Sequence, residues 1–357
     1  MKSSVGEAAI PMSIDISVII VACNNLADLE RCLPSLELSC GGNVEIIVVD
    51  NASEDGTPEW VSENFPAIRL LRNQGNPGFG GGNNQGARLA RGEYLAFLNP
   101  DTTVEAGWLE ALVAVLRRDP QIGLATSRIM LMQNPERINT CGNDIHLSGI
   151  TMCRGYGRPA GAYSAPADVA AVSGAAFAMQ RALYEQLCGF DESFFMYMED
   201  TDLSIRARLS GYRNVYVPGS VVYHRYTLRL GPRKTFYQER NRYLMLLKSL
   251  GWTTLLLLAP VFLLAEVMTW GFVLLREPKH WRNKVHAYGW VCLHWAEIRA
   301  ERSTVQSRRV LSDPEVLTSF QTKIDFEQLN MNWAGRAARS VFNPLFGLYG
   351  FFVKKAI

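Results

Sequence analysis

The sequence predicts an α/β protein: a doubly wound, mostly parallel sheet flanked by helices, continued by a C-terminal helical extension that is hydrophobic and basic. Three observations predict it. Short apolar runs alternate with helical patterns through the first half, and each change of period falls on a turn signal. Asn24, Asp50, Asn73 and Asp101 stand just past the ends of apolar runs, where a ligand sits in such a sheet. Beyond Arg225 the character changes: residues 225–312 carry 15 Lys/Arg against 5 Asp/Glu, so the chain has an acidic front and a basic back.

Ile16 to Ala22 reads as a buried strand, and Leu26, Leu29, Leu33 and Leu36 recur at helical spacing. Val44 to Val49 is a second strand. The Asn, Asp, Ser and Gly of Asp50 to Gly56 make a loop, and Pro58 opens a helix carrying Trp60, Val61 and Phe65. Ile68 to Leu71 is a third strand, followed by a glycine-rich loop, a helix near Asn84 to Ala90, the strand Tyr94 to Leu98 and a helix from Trp108 to Leu116. From Leu131 to Ala170 the pattern weakens and fills with Gly, Asn and Pro, as in a variable or acceptor-facing loop. Ala171 to Met179 is a small-residue strand, Arg181 to Cys188 a helix, and a further helix follows Glu199 and stops at Gly211. Val215 to Val217 and Val221 to Tyr223 are short strands ending at His224.

Residues 250–275 carry one charge, Glu266, and one proline, Pro260, between Lys248 and the cations Arg276, Lys279, Arg282 and Lys284. The length suffices for a span, but Glu266, Pro260 and basic flanks at both ends fit a helical hairpin or interfacial helix better, with the cations on anionic headgroups. A buried helix pair is the plain alternative. Membrane association is the expectation.

A chain of 357 residues, 48% hydrophobic and 20% charged, has a buried core, which excludes disorder as its main character. A net charge of +2 removes the uniformly basic profile of a nucleic-acid binder, and no nucleic-acid partner is expected. Seven cysteines, Cys23, Cys32, Cys40, Cys141, Cys153, Cys188 and Cys292, show no C-x-x-C pair, against a disulfide framework or zinc knuckle and in favour of a reducing compartment. The first fifteen residues carry no secretory signal, and the Asn51-Ala52-Ser53 sequon reads as chance.

Four stretches bear chemistry. A carboxylate such as Asp50 at a strand end can accept from the imide N–H of uracil or thymine, which cytosine lacks; an Asx-turn is the structural alternative. The loop Gly75 to Asn84 could bring backbone amides to a phosphate, yet it matches neither G-x-G-x-x-G nor the P-loop pattern, and glycine clusters are commonly plain turns. Asn99-Pro100-Asp101 sets one carboxylate at the mouth of the sheet, enough for a hard divalent cation whose shell diphosphate and water complete; a helix-entry cap is the alternative. Glu199-Asp200-Thr201-Asp202 follows Phe194, Phe195, Met196 and Tyr197, and apolar surroundings raise a carboxylate's basicity, although acids also enrich any helix's first turn. His224 closes a strand; a lone histidine is more often structural.

Taken in order, Ile16 to Asn24, Val48-Val-Asp50-Asn-Ala-Ser53, Asn76-Pro-Gly-Phe79 with Gly82-Asn83-Asn84, Leu98-Asn-Pro-Asp101, Gly189-Phe-Asp-Glu192 and Tyr197-Met-Glu-Asp200 resemble the family 2 inverting glycosyltransferases of GT-A fold. The likeness covers about Ile16 to Asn241 and is nearest to the rhamnosyltransferase-like branch, which writes its metal motif Asn-Pro-Asp. It implies a glycosyltransferase domain over 16–241, with a nucleotide-sugar half (16–130) and an acceptor half (131–241), between an N-terminal tail (1–15) and a helical, membrane-associating region (242–357).

By resemblance, Asp50 would hold the base, with Asn24, Asn51, Asn76, Gly78, Phe79, Asn83 and Asn99 on the nucleotide-sugar side. Asp101 and His224 would hold Mg²⁺ or Mn²⁺ on the donor diphosphate, and Asp200 would be the general base. Gly189, Asp191 and Glu199 would shape the acceptor side. Two departures stand out. Ala22-Cys23 replaces the usual Thr-Tyr, removing an aromatic from the base pocket, and Asn99 replaces the first acid of D-x-D, leaving one carboxylate for the metal.

The implied reaction is a single inverting displacement through an oxocarbenium-like transition state, with L-rhamnose from dTDP-rhamnose passing to a hydroxyl of a cell-surface glycan, lipid-linked, at the cytoplasmic face of a membrane. A UDP-hexose, UDP-N-acetylhexosamine or UDP-galactofuranose donor is the alternative within the fold. A non-catalytic membrane-bound member of a polysaccharide assembly complex is the alternative of another class, and a nicotinamide enzyme lacks its fingerprint.

Overall fold

The computed structural model describes residues 14–39, 41, 43–227, 231–276, 278–329 and 333–356; Cys40 and all but the end of the 1–15 tail lie outside them. Strand β1 (Ile16–Ala22), helix α1 (Leu26–Glu37) and strand β2 (Val44–Asp50) form a first parallel crossover, in the register Ala22 to Asp50. Helix α2 (Thr57–Asn64) leads to β3 (Arg69–Arg72) on the outer side of β2. Helix α3 (Gly78–Leu89) then returns the chain to β4 (Tyr94–Leu98) on the opposite side of β1. Strand order therefore reverses at β1, and the crevice beyond its carboxyl end is where Asn24, Asp50 and Asp101 emerge.

The chain continues through β5 (Thr102–Val104), α4 (Trp108–Arg118), β6 (Ile122–Leu131), β7 (Asn134–Thr140), the hairpin β8 (Asn143–Ile145) and β9 (Thr151–Cys153), β10 (Ala167–Asp168), β11 (Ala176–Gln180), α5 (Arg181–Gln186), α6 (Glu199–Leu209) and β12 (Arg213–His224). The main sheet runs β10-β12-β6-β11-β4-β1-β2-β3, with β5 on β12 and β7 on β6. Only β11 is antiparallel among its central strands. Alternation along β1 feeds both faces: Ile16, Val18 and Ile20 pack under α1 and α4, while Ile19 and Val21 join Phe97, Phe177 and Phe190 on the other side.

Four sequence expectations are corrected and one unread strand is added. The glycine-rich loop before Asn84 is helical from Gly78, because small residues let α3 lie directly on the sheet: a Cβ at Gly86 would stand 2.5 Å from an Ile19 methyl. Ile122–Leu131 is a ten-residue strand that no alternation betrays, since nine of its residues are buried. The small-residue strand begins at Ala176, with 171–175 outside it, and the two short strands before His224 are one strand, β12, irregular between Val217 and Val221. The stretch 131–170 holds four short strands and is no mere loop.

Past β12 come α7 (Pro232–Ser249), α8 (Trp252–Leu257), α9 (Ala259–Arg276), α10 (Trp281–Leu293), α11 (Trp295–Ser307), α12 (Asp313–Leu317) and α13 (Trp333–Ala356). Helix α7 crosses the 241/242 boundary, and its Leu244, Met245 and Leu246 share one core with Ile145, Phe194, Val261 and Phe346. Pro260 sits in the first turn of α9, where it starts a helix without kinking one. Glu266 faces inward: its carboxylate meets Arg242, Tyr243, Tyr288 and, at 3.0 Å, Lys284, and these cations overcome the effect of burial and hold it below the usual carboxylate range. No single helix among the described residues is long and apolar enough to cross a membrane. Ala259–Leu275 and Pro278–Leu293 pass together, but are bent by 119°.

Candidate active site

Asp50 ends β2 almost fully buried. Its Oδ2 accepts the Ser53 amide at 3.1 Å, while Oδ1 is buried with no donor among the described residues. An unmatched buried carboxylate oxygen is costly unless a ligand supplies the missing N–H. Around it the other polar residues are spent on holding loops together. Asn24, in the left-handed region at φ 56°, donates its amide to Ser53 Oγ and accepts the Glu54 amide on Oδ1, both at 2.8 Å. Asn51 Nδ2 donates to the Gly78 carbonyl at 3.0 Å and to Asn76 Oδ1 at 3.2 Å, and Asn76 Oδ1 accepts the Gly78 amide.

Gly78 stands at φ 82°, and a Cβ there would collide with the Phe195 carbonyl, which accepts the Phe79 amide at 2.7 Å. The Phe79 ring packs edge-on against Phe190 in the core, 5.7 Å between centroids. Asn83 is buried and returns its Nδ2 to the Phe79 carbonyl. Asn99 is joined through its amide to the Ala175 carbonyl. Asp50 and Asp101 thus face the crevice, Asn24, Asn51 and Asn76 build its wall, and Phe79 and Asn83 lie beneath it.

Pairing of β5 with β12 sets Thr102 opposite His224 and brings Asp101 Oδ1 to 3.3 Å from His224 Nε2. On its far side the imidazole donates from Nδ1 to Asn139 Oδ1 at 2.8 Å, so Nε2 is the nitrogen presented to the carboxylate. Burial works to raise the Asp101 pKa, but the hydrogen bond and charge of His224, with Arg225 behind, outweigh it and keep the carboxylate ionised. One carboxylate oxygen and one imidazole nitrogen at this separation suit a divalent cation that takes its remaining ligands from phosphate and water. The donor set fits such an ion, and Asp101 and His224 are the residues that would hold it.

Asp200 opens α6 behind a run of left-handed residues, Phe195 at φ 61°, Tyr197 at 67° and Met198 at 68°. Such conformations cost of order 1–3 kcal/mol each and persist only where surroundings enforce them. Here α7 enforces them: buried Asn241 Nδ2 donates to the carbonyls of Phe194, Met196 and Tyr197 at 2.7–3.0 Å, and Arg240 Nη2 to that of Phe194 at 2.8 Å. Asp200 Oδ2 accepts the Gly174 amide at 2.7 Å and Oδ1 the Thr201 amide at 2.6 Å. Burial raises its pKa despite these donors. Burial and the neighbouring Asp200 push Glu199 up to about 8, and its Oε2 has no donor among the described residues. The better-bonded Asp200 therefore ionises first. Asp202, the third acid, is a core partner of Arg206 at 2.7 Å and Lys248 at 3.2 Å.

On the expected acceptor side, Asp191 is paired with buried Lys248, and Gly189, at φ 66°, gives its carbonyl to Arg206 at 2.8 Å. Both shape the loop without offering it a free polar group. Sequence reasoning missed Asn139, Gly174 and Asn241, whose partners are remote in the chain, and gave no role to Asn84, which ties α3 to the Phe190 backbone through both Nδ2 and Oδ1 at 2.9 Å.

Residues 17–187 match the profile of the family described as Glycosyl transferase family 2. The N-acetylglucosaminyl-diphospho-decaprenol L-rhamnosyltransferase of Mycobacterium tuberculosis is 30% identical, over 55% of this chain and 71% of that protein. Among solved structures, Staphylococcus aureus TarS 1-349 superposes with a TM-score of 0.54 at 16% identity, over 96% of this chain and 90% of that one. A mannosyltransferase of Pyrobaculum calidifontis in complex with GDP-Man and Mn²⁺ superposes with a TM-score of 0.50 at 18% identity, over 95% and 86%. These likenesses carry the fold, that of GT-A glycosyltransferases.

Proposed function

Because this chain belongs to the family 2 glycosyl transferases, we propose that it moves a sugar, L-rhamnose from dTDP-rhamnose, onto a hydroxyl of a lipid-linked glycan by one inverting displacement at the cytoplasmic face of a membrane. The single observation that carries the reading is the convergence of Asp101 and His224 at the mouth of the sheet in which β2, one strand beyond β1, ends on Asp50 with its free buried oxygen. A nucleoside diphosphate needs these features: an acceptor for a base imide at one end and a divalent-cation seat at the other. The rhamnose donor and the lipid-linked acceptor are favoured by the mycobacterial rhamnosyltransferase, whose substrate is a diphospho-decaprenol.

Asp50 receives the base imide through Oδ1. Asp101 and His224 would hold Mg²⁺ or Mn²⁺, and such an ion would supply positive charge against the departing diphosphate. The Asp200 carboxylate takes the proton of the acceptor hydroxyl as its oxygen meets the anomeric carbon, and neutral Glu199 beside it adds no competing charge. Raised basicity suits Asp200 to this work, since a general base gains force as its pKa approaches the working pH. The described cysteines are all free, in keeping with a reducing compartment. An exposed apolar surface on α8, α9, α10 and α13 supports the membrane placement.

The test is nucleoside diphosphate release by purified protein over a panel of sugar nucleotides, with Mg²⁺, Mn²⁺ or EDTA and with Asp101→Ala as control. Release confined to one donor, and lost with EDTA and with D101A, is expected. Indifference to both treatments overturns the metal seat. Tight donor binding without turnover, in the presence of an N-acetylglucosaminyl diphosphate lipid, favours the non-catalytic assembly role.

A further inference from the structure

A chain of side-chain contacts that none of the residues discussed so far accounts for links His224 to the neighbourhood of Asp200. The Tyr226 ring stands 5.7 Å from that of His224 and 5.8 Å from that of Tyr156. The Cys153 thiol is within hydrogen-bond reach of the Tyr226 hydroxyl and within electrostatic reach of both Asp200 and Lys234. Lys234, in the first turn of α7, holds its ammonium 5.3 Å from the centre of the Tyr197 ring, three residues before Asp200. All five side chains are half-buried, so each keeps part of its surface open to an incoming group.

Lys234 is the unusual member. Every other half-buried group here is neutral or hydrogen-bonded, whereas the Lys234 ammonium has no carboxylate partner among the described residues. Burial lowers its pKa, and the adjacent aromatic face returns only part of the hydration it has lost. A lysine left in this state is completed by an anion arriving from outside. The aromatic rings beside it offer flat apolar faces and phenol donors, which suit the face and hydroxyls of a sugar.

We propose that Lys234, with Tyr156, Tyr197 and Tyr226, forms the acceptor subsite and takes the phosphate that links the acceptor's sugar to its carrier, the sugar lying over the tyrosines with its hydroxyl toward Asp200. This rests on the reading of Asp200 as the base and of Asp101 and His224 as the donor's diphosphate seat. The shared chemistry is a diphosphate, which donor and acceptor both carry. The position of Lys234 over the ring of Tyr197, three residues before Asp200, assigns it to the acceptor.

The test compares wild type, Lys234→Met and Lys234→Arg in calorimetric binding of three probes: farnesyl-diphospho-N-acetylglucosamine, octyl N-acetylglucosaminide, which has no phosphate, and dTDP-rhamnose with Mg²⁺. Loss of a charge-assisted contact is expected to weaken the diphosphate acceptor roughly 10- to 100-fold in K234M, with much of the affinity restored in K234R and a far smaller change for the octyl glycoside. An equal loss for both acceptors makes Lys234 merely structural, and a loss confined to dTDP-rhamnose gives it to the donor; either result overturns the proposal. Binding is read without turnover, so a protein that binds the diphosphate acceptor through Lys234 yet transfers no sugar leaves this subsite standing while the transferase reading falls. Transfer that is indifferent to Lys234 does the reverse.

Discussion

Asp200 and Glu199 are adjacent carboxyl groups with opposite needs. Asp200 must be ionised to accept a proton, and its Gly174 and Thr201 amide donors favour that form; Glu199, with an unbonded Oε2, is favoured neutral. Asp200→Asn removes the proposed base and is expected to lower the transfer rate by about 10²- to 10⁴-fold while affinity for the proposed donor, dTDP-rhamnose, measured by calorimetry, stays close to wild type. A variant as fast as wild type would assign the base elsewhere. The pH dependence has a definite sign. Glu199 has its folded pKa raised above the unfolded value, to about 8, so from the ordinary carboxylate range up to about pH 8 the native state holds more protons than the unfolded one. Stability therefore falls as pH rises through that window. Glu199→Gln should flatten this slope in urea denaturation followed between pH 5 and 8, and an unchanged slope would mean that Glu199 is not the group responsible. The acids themselves are legible in the sequence as a cluster after aromatics. What separates Asp202, spent on Arg206 and Lys248, from Asp200 is legible only once α7 is docked.

At the scale of elements, the loop that leads into Asp200 is held by a helix from outside the sequence motifs. The backbone at Phe195, Tyr197 and Met198 is left-handed without glycine, and Asn241 of α7 returns that cost through bonds to three of the loop's carbonyls. Asn241→Leu keeps the volume and removes the donor. It is expected to cost about 1–3 kcal/mol in chemical denaturation, and to lower kcat more than it raises the donor KM, because the loop aims Asp200 and leaves Asp50 untouched. A loss of stability with kcat intact would make the contact structural alone. The parallel half of the sheet, β1 to β4, could be read from alternating periods because each strand is a short apolar run closed by polar residues. Less of the second half could: β6 has no alternation, β11 shows as a small-residue strand whose start is misplaced, and Asn139, in a stretch that reads as variable, becomes the support of His224 only through the pairing of β6, β7 and β12. The glycines before Asn84 look like a turn, yet they are the flat face that lets α3 lie against β1.

For the whole molecule, the residue that argues against a spanning helix and those that favour a membrane lie on the same helix, the first engaged in ion pairs and the others exposed. Glu266 turns inward to Arg242 and Lys284, while on α9 Leu263 is 67% exposed and Val267 58%. Helix α13 packs against α9 and adds Leu348 at 61% and Phe351 at 63%, and Trp252 and Trp281 are exposed nearby. An apolar surface of this breadth is unusual for a chain that meets only water. The partner we propose is an anionic bilayer surface: of the cations in the basic region, Arg242, Lys248 and Lys284 are buried in ion pairs, against the expectation that Lys248 and Lys284 meet headgroups, but Lys279, Arg282, Arg299 and Arg308 are exposed. Burying one Leu-sized side chain is worth about 1.5–3 kcal/mol, so Leu263→Glu combined with Phe351→Glu should reduce co-sedimentation with vesicles of phosphatidylglycerol and phosphatidylcholine by well over tenfold. Both side chains are already solvent-facing, so circular dichroism and donor hydrolysis report whether the fold survives. Raising the salt should weaken the wild type partially and no further, since screening removes the headgroup attraction but leaves the apolar term. Sedimentation by the double variant equal to that of the wild type would release α9 and α13 from the membrane and leave the exposed face in need of a protein partner.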